Sequence, residues 1–310
     1  MNWTWFVIGF ICILVAASAV LGLYFYVSNK KVLFLNKLGS QYMTWEIWDQ
    51  ALQAFEKARH CDPNHYLAYY NIGYVLYFGK KVHGPALEAL DRALVLNPDF
   101  AEAHYAKGHL LYYARHLSEE AARHLEKAAA LDPAMAGPCN TLGLIESAAN
   151  NWEKALEYFE EAVQRSSEYA SAHCNMGIAL ISLNRSSEAE KAFRHATAFA
   201  SANAANFINL GNALGMAGKA EEAIAAFETA RKLDPNNASV HFWLGALLLN
   251  SSKTQEAVRA LNESLVQRED QAFCHYNLAL AYEKLNLAQA SKRHMDRAIE
   301  LHPEIAGDLE

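Results

Sequence analysis

From Trp3 to Val27 the chain runs through 25 residues without a charge, and beyond it apolar and polar positions recur in helix-length blocks at steps of 34 or 35 residues. As an α-helix the uncharged stretch rises about 37 Å, more than the roughly 30 Å hydrocarbon core of a bilayer. It predicts a single transmembrane helix over 3–27, with Trp3, Trp5 and Phe6 at one end and Tyr24, Phe25 and Tyr26 at the other, where headgroups favour aromatic rings. A cleaved signal peptide is the competing reading, because Ala17-Ser18-Ala19 has small residues at cleavage spacing. Against it, no Lys or Arg precedes the run, and Val20 to Val27 continues it past that site. Ser18 and Gly22 form a small-xxx-small pair, more simply explained by the abundance of small residues in spanning helices than by helix pairing. Residues 28–31 are a short basic junction, and Lys30, Lys31 and Lys37 after the span predict an outside N-terminus and a cytoplasmic C-terminal part.

The later blocks align on a glycine column: Gly39, Gly73, Gly108, Gly143, Gly177, Gly211 and Gly245, with Ala279 in the eighth place. Twelve or thirteen residues further on is a small residue, from Ala51 to Ser291. Four beyond that is a large one: Phe55, Leu90, Leu125, Phe159, Phe193, Phe227, Leu261 and Met295. Three later the column is small again, and a proline closes five of the eight blocks, at Pro63, Pro98, Pro133, Pro235 and Pro303. Small residues suit the line where two helices of a pair nearly touch, and large ones the surface covering the next pair. Asp-Pro and Asn-Pro stop a helix, since proline disfavours the α-region for the residue before it. Ser118, before Glu119 and Glu120, is predicted as an N-cap. The two extra residues of the longer blocks are predicted between helices, around Lys80 to Pro85 and Arg115 to Ser118.

These columns resemble the tetratricopeptide repeat, a helix-turn-helix unit of 34 residues with Leu-Gly, Tyr, Ala, Phe, Ala and Pro at such offsets. The resemblance covers residues 32–305 as eight repeats, 32–65, 66–100, 101–135, 136–169, 170–203, 204–237, 238–271 and 272–305, leaving 306–310 as a tail. It implies an all-α fold: one transmembrane helix, then an α-solenoid coiled into a right-handed superhelix. No added polar helix caps the last repeat, so its end is a candidate surface for a second copy or a partner. Glu283, Lys284, Lys292, Arg293 and Asp296 give the simpler alternative of a sufficiently polar last repeat.

The resemblance also implies that first helices line a concave groove, through the positions two and three before the glycine and one, four and five after it. Two before it stand Asn71, Asn175, Asn209 and Asn277. An asparagine offers a donor and an acceptor to an extended peptide, though it is frequent at this site for structural reasons too. The second and third repeats present Tyr70, Tyr74, Tyr77, Phe78, Tyr105, His109, Tyr112 and Tyr113, an aromatic wall suited to proline-rich or aromatic segments. A clamp for the acidic tails of chaperones needs several Lys and Arg in these columns; only Lys37 and Lys284 occur, so that ligand is not expected.

Composition narrows the chemistry. With 52% apolar and 20% charged residues the chain is a folded protein, and a net charge of -7 disfavours a nucleic-acid partner. Five cysteines without a CxxC pair exclude a disulfide scaffold and the common zinc ribbon. Of 13 histidines, His104, His173, His241 and His275 recur four before the glycine column, a helix-packing place, and no metal-ligand spacing is recognised. Without a phosphate-binding glycine loop, a nucleophile elbow or room for a catalytic domain, neither enzyme activity nor a cofactor is expected.

The expected function is therefore a membrane-anchored scaffold or receptor that binds extended peptides or other proteins in its groove and recruits them to the bilayer, as in assembly factors. The alternatives are a structural accessory subunit of a membrane enzyme complex, working through convex or edge surfaces, and a regulatory subunit that presents substrate to a catalytic partner.

Overall fold

The structure is a computed structural model that describes residues 29–268 and 270–309. The predicted transmembrane segment 3–27 lies outside the described residues, among which no helix is long and apolar enough to cross a membrane.

The described chain is an all-α solenoid of sixteen helices. These are α1 (29–44), α2 (Trp48–Cys61), α3 (Tyr66–Tyr74, continued by a π-helical turn Val75–Gly79), α4 (His83–Leu96), α5 (Ala101–Arg115), α6 (Ser118–Leu131), α7 (Ala136–Ala148) and α8 (Trp152–Arg165). There follow α9 (Ala170–Ser182), α10 (Ser186–Phe199), α11 (Ala204–Met216), α12 (Ala220–Leu233), α13 (Ala238–Asn250), α14 (Thr254–Gln267), α15 (Ala272–Lys284) and α16 (Ala288–Leu301), with a 3-10 turn over Pro303–Leu309. The described residues divide into two compact units, the first ending at Ile145 and the second beginning at Glu146. In each, helices pack against their neighbours in sequence, as in α3 on α4 and α4 on α5, or α9 on α10 and α10 on α11.

The glycine column is explained by the large column. A Cβ on Gly108 would lie 2.7 Å from Leu125 Cγ, one on Gly177 2.6 Å from Phe193 Cε1, and one on Gly245 2.6 Å from Leu261 Cγ. In six repeats the large side chain of the second helix thus fills the notch its own repeat's glycine leaves. The expectation that these side chains serve the next pair describes only half of their contacts. Phe55 also packs on Ile72 and Val75, Leu90 on Ala106 and Leu110, and Leu261 on Cys274 and Leu278, all in the following repeat.

Between the two helices of each repeat one residue takes the left-handed conformation: Glu46, Lys81, His116, Asn150, Asn184, Gly218, Ser252 and Asn286. The next residue's N–H then bonds back to a carbonyl five residues earlier, as in Arg185 to Leu180 (2.8 Å) and Lys219 to Leu214 (2.9 Å). In the two longer repeats it reaches six back, Val82 to Leu76 (2.8 Å) and Leu117 to Leu111 (3.1 Å). The extra residues therefore lie inside the last turns of α3 and α5, not in the connections predicted for them. A widened turn, the π turn in α3, keeps the left-handed residue two before the second helix in every repeat.

One smaller expectation is also corrected, and another is qualified. Ser118 is the first residue of α6, and the N-cap position is Leu117, with no side-chain bond. The second helix does stop before proline, as at Asp62 (φ -141°, ψ 99°), but proline is not required for it: Ser166 (φ -146°, ψ 96°) and Arg268 (φ -154°, ψ 102°) precede none and match. At Asp62, Asn97 and Asp132 the side chain accepts from the backbone N–H two residues on, at 2.9 Å from Ala134 to Asp132, whereas Asp234 accepts from Asn237 Nδ2 at 3.0 Å.

Two substitutions separate notch from turn. Gly108→Val drives a side chain into Leu125 and should cost about 1–3 kcal/mol, the usual penalty of overpacking. Ser252→Gly removes a left-handed serine and should gain about 1 kcal/mol. Urea unfolding of the two variants beside the parent checks both signs.

Candidate functional site

In the second unit, α9, α11 and α13 enclose an open cavity of about 570 Å³. Its walls come from the positions assigned to the groove: Ile178 and Asn212 one after the glycine, Ile181 four after, Met216 and Asn250 five after, and Asn209 and Trp243 two before. Ile178, Met216 and Trp243 are exposed large apolar side chains, and none of the lining residues carries a charge. The floor includes Gly211 and Gly215, and a Cβ on Gly215 would meet nothing within 4 Å, so a ligand could approach the α11 backbone there. Trp243 is braced edge-on by Phe242 at 5.0 Å between ring centroids.

Of the four asparagines, Asn209 lines this cavity and donates from Nδ2 to Cys174 Sγ at 3.2 Å. Asn71 does the equivalent in the first unit, donating to Asn36 Oδ1 at 3.4 Å. The column thus spans successive first helices, reaching the residue three before the preceding glycine. Asn175 and Asn277 are half-buried on α9 and α15. Asn212 and Asn250, missed in the sequence, lie in the cavity wall without a side-chain hydrogen bond among the described residues. Ile178, Met216 and Trp243 were missed as well. Each occupies a groove column, but an apolar residue there looks the same in the sequence as one buried in helix packing.

The aromatic residues of the first unit pack on one another. Tyr74 meets Phe78 at 4.5 Å and Tyr70 at 6.2 Å, while Tyr70 also meets Phe100 edge-on at 5.0 Å. His109 stands 4.3 Å from Tyr113, and Tyr105 lies over Gly137, where a Cβ would fall 2.7 Å from its Cζ. Tyr77 is a core residue, only 7% exposed, in a cluster with Ala86, Leu90, Ala106 and Leu110. The π turn explains this: it turns Tyr77 into the inward place held by Leu180, Leu214 and Leu248 in regular repeats. The Tyr77 hydroxyl and His109 Nδ1 share a hydrogen bond of 2.8 Å, and the Tyr112 hydroxyl donates to the Leu144 carbonyl at 3.2 Å. Burial pushes Tyr77 up to about 12 and raises Tyr70 and Tyr112 as well.

The recurrent histidines tie the chain. Nε2 of His104, His173 and His241 donates to the carbonyl six residues earlier, at 3.0 Å to Pro98, 2.9 Å to Ser167 and 2.7 Å to Pro235. That bond makes His104 Nδ1 an acceptor, so His124 Nδ1–H donates to it at 2.8 Å. Among the described residues no group of three or more His, Cys, Asp and Glu is placed to hold a metal. Burial pushes the Cys274 thiol up to about 11 and raises that of Cys174, the opposite of what a nucleophile needs.

Comparison with known proteins supports the repeat reading. Residues 211–252 match a family model described as TPR repeat, and residues 146–207 and 274–305 match models described as tetratricopeptide repeat. The curated protein sequences give no match. Among solved structures the chain is similar to YrrB, a TPR protein with an unusual peptide-binding site, at 23% identity over 59% of this chain and 94% of that one, with TM-score 0.54. It is similar to PilW, a type IV pilus biogenesis factor, at 20% identity over 72% and 98% of the two chains, TM-score 0.60. The third likeness is to the APC/C hetero-tetramer Cut9–Hcn1, at 18% identity and TM-score 0.60, over 84% of this chain and 52% of that one. These likenesses establish the fold, and the chain carries tetratricopeptide repeats.

The buried imidazoles generate a pH prediction. Burial, with Lys81 close by, lowers His109 to about 4; burial, with Lys107 and His104, lowers His124 to about 4; His104 is lowered too. A folded pKa below the unfolded value of about 6.5 means stability that is present above pH 6.5 and lost as pH falls toward 4. The melting temperature should fall across this window, and the double variant His109→Gln, His124→Gln should flatten the fall. An unchanged slope in the double variant would assign the acid loss to other groups.

Proposed function

We propose that this protein works by binding rather than catalysis, as a scaffold that holds an extended, uncharged peptide segment of a partner in the groove of α9, α11 and α13. The observation that carries the reading is the cavity whose exposed walls are Ile178, Met216 and Trp243 and whose lining has no charge. Apolar side chains of the segment would cover these walls, and its backbone would meet the accessible amides of Asn212 and Asn250. The aromatic face around Tyr74, His109 and Tyr113 is a second contact region for the same kind of partner. YrrB, which carries a peptide-binding site, lends the reading a precedent of fold.

The uncharged segment 3–27 would anchor the scaffold in a bilayer, with the repeats on the cytoplasmic side. Confinement there would raise the partner's effective concentration near other membrane components, the physical basis of recruitment.

Fluorescent twelve-residue peptides test the groove. A Leu- and Phe-containing uncharged peptide should bind, and one with two Asp or two Lys replacing apolar residues should bind at least about tenfold more weakly, a difference of about 1.4 kcal/mol. Trp243→Asp with Met216→Asp should abolish binding while the circular dichroism stays unchanged. Equal binding by that variant would transfer recognition to convex or edge surfaces, as an accessory subunit would have it. For topology, Asn184 and Asn250 are exposed members of Asn-x-Ser sequons. In microsomes supporting N-glycosylation both should stay unmodified, and a mass increase at either would place the repeats in the lumen.

A further inference from the structure

The first described helix has a face the solenoid does not use. Val32 and Leu35 of α1, 2% and 8% exposed, pack on Ala58, Ala68 and Cys61, and Gly39 receives the ring of Phe55. These inward residues at helical spacing fix the rotation of α1. They leave Leu33 and Phe34 turned outward, 62% and 64% exposed, beside the exposed side chains of Lys30, Lys31 and Lys37. Two large apolar side chains among lysines, on the outer stripe of a helix, are costly in water and well matched to a bilayer interface. There rings and aliphatic chains enter the acyl boundary, while lysines extend to the headgroups.

We propose that this stripe of α1 is a lipid-binding surface, lying in the headgroup layer of an anionic bilayer with Leu33 and Phe34 inserted and Lys31 and Lys37 meeting lipid phosphates and carboxylates. The inference rests on the reading that segment 3–27 enters a membrane. Charge and sequence continuity select the occupant. The residues immediately before α1 form the uncharged run that ends at Val27, so a bilayer holding that run would bring its headgroups to Lys30, Lys31 and Leu33. No acidic residue occurs between Met1 and Gln41, so nothing on this stretch opposes an anionic surface, although the whole chain carries -7. The first repeat then rests on the membrane through a fixed helix face, and its orientation relative to the bilayer is set by the same packing that sets Val32 and Leu35 inward.

The test uses the full chain in nanodiscs, with a photo-reactive benzoylphenylalanine replacing Phe34, or Glu88 as an exposed control in the same unit. The discs contain phosphatidylcholine alone or a 70:30 mixture with phosphatidylserine, and alkaline carbonate extraction of the full chain from native membranes runs in parallel. The expected result is a phospholipid adduct at position 34 and not at 88. Its yield should fall at least about fivefold when phosphatidylserine is omitted or when Lys31→Glu and Lys37→Glu are introduced. Circular dichroism of the double lysine variant establishes that the fold is kept. Absence of lipid adducts at 34 in a chain that resists carbonate overturns the inference while leaving the anchor intact. Adducts to protein instead of lipid overturn it in favour of a protein partner. Extraction by carbonate, with lipid adducts still formed at 34, would remove the spanning anchor and leave the surface established.

Discussion

A large side chain of the second helix resting on a bare glycine of the first is the contact on which the solenoid depends. Without a Cβ at Gly177 or Gly245, the rings and branches of Phe193 and Leu261 come within distances no other residue would allow. Because the same side chains also touch the following repeat, as Leu261 touches Cys274 and Leu278, one residue closes a pair and seeds the next interface. Pair closure and stacking are therefore coupled energetically. Loss of one notch should weaken two interfaces at once, within the nearest-neighbour cooperativity of repeat arrays.

Given that lock, the remaining freedom lies at helix ends. Holding the left-handed residue two positions before each second helix forces any extra residue back into the first helix. In α3 the cost is a π turn, and its consequence is that Tyr77 leaves the groove column for the core. Regular repeats keep the standard phase, so Ile181 of α9, in the matching column, reaches the cavity. A one-residue length difference thus divides an aromatic wall that packs on itself from a groove that stays open.

Much of this was legible in the sequence, for identifiable reasons. The glycine, small and large columns are chemically uniform because sterics permit few residues there, so their period exposes the helix pairs directly. The left-handed column is not, since Glu46, Lys81, His116, Gly218 and Asn286 share a conformation and no side-chain chemistry. The π turn was hidden for a related reason: an inserted residue looks the same whether a loop or a helix absorbs it. Groove positions could be assigned by column, and hydrogen-bonding capacity favoured Asn175 and Asn209, of which Asn209 lines the cavity. The apolar walls of Trp243 and Met216 became evident only when the cavity showed which columns remain exposed together.

The distribution of charge gives the groove its character. In the second unit, ion pairs gather on second helices and the turns beside them: Glu190 binds Arg194 at 2.9 Å and Lys219 at 2.8 Å, and Arg194 reaches Glu222 at 2.5 Å. Arg231 similarly meets Glu228 at 2.7 Å and Glu263 at 3.7 Å. The lysine hydrogen bond holds the Glu190 carboxyl below its usual range, so this cluster stays charged and paired at neutral pH. A chain that is acidic overall thus presents a cavity without a fixed charge of either sign, and the peptide proposed to bind there would gain by desolvating apolar surface and pairing amides. Such binding would be screened little by salt, because the Coulomb forces that salt weakens act elsewhere on the molecule. For the peptide binding proposed above, steering of charged partners would play no part, and specificity would come from excluding charged side chains, which would lose hydration against Trp243 and Met216 without finding a counter-ion.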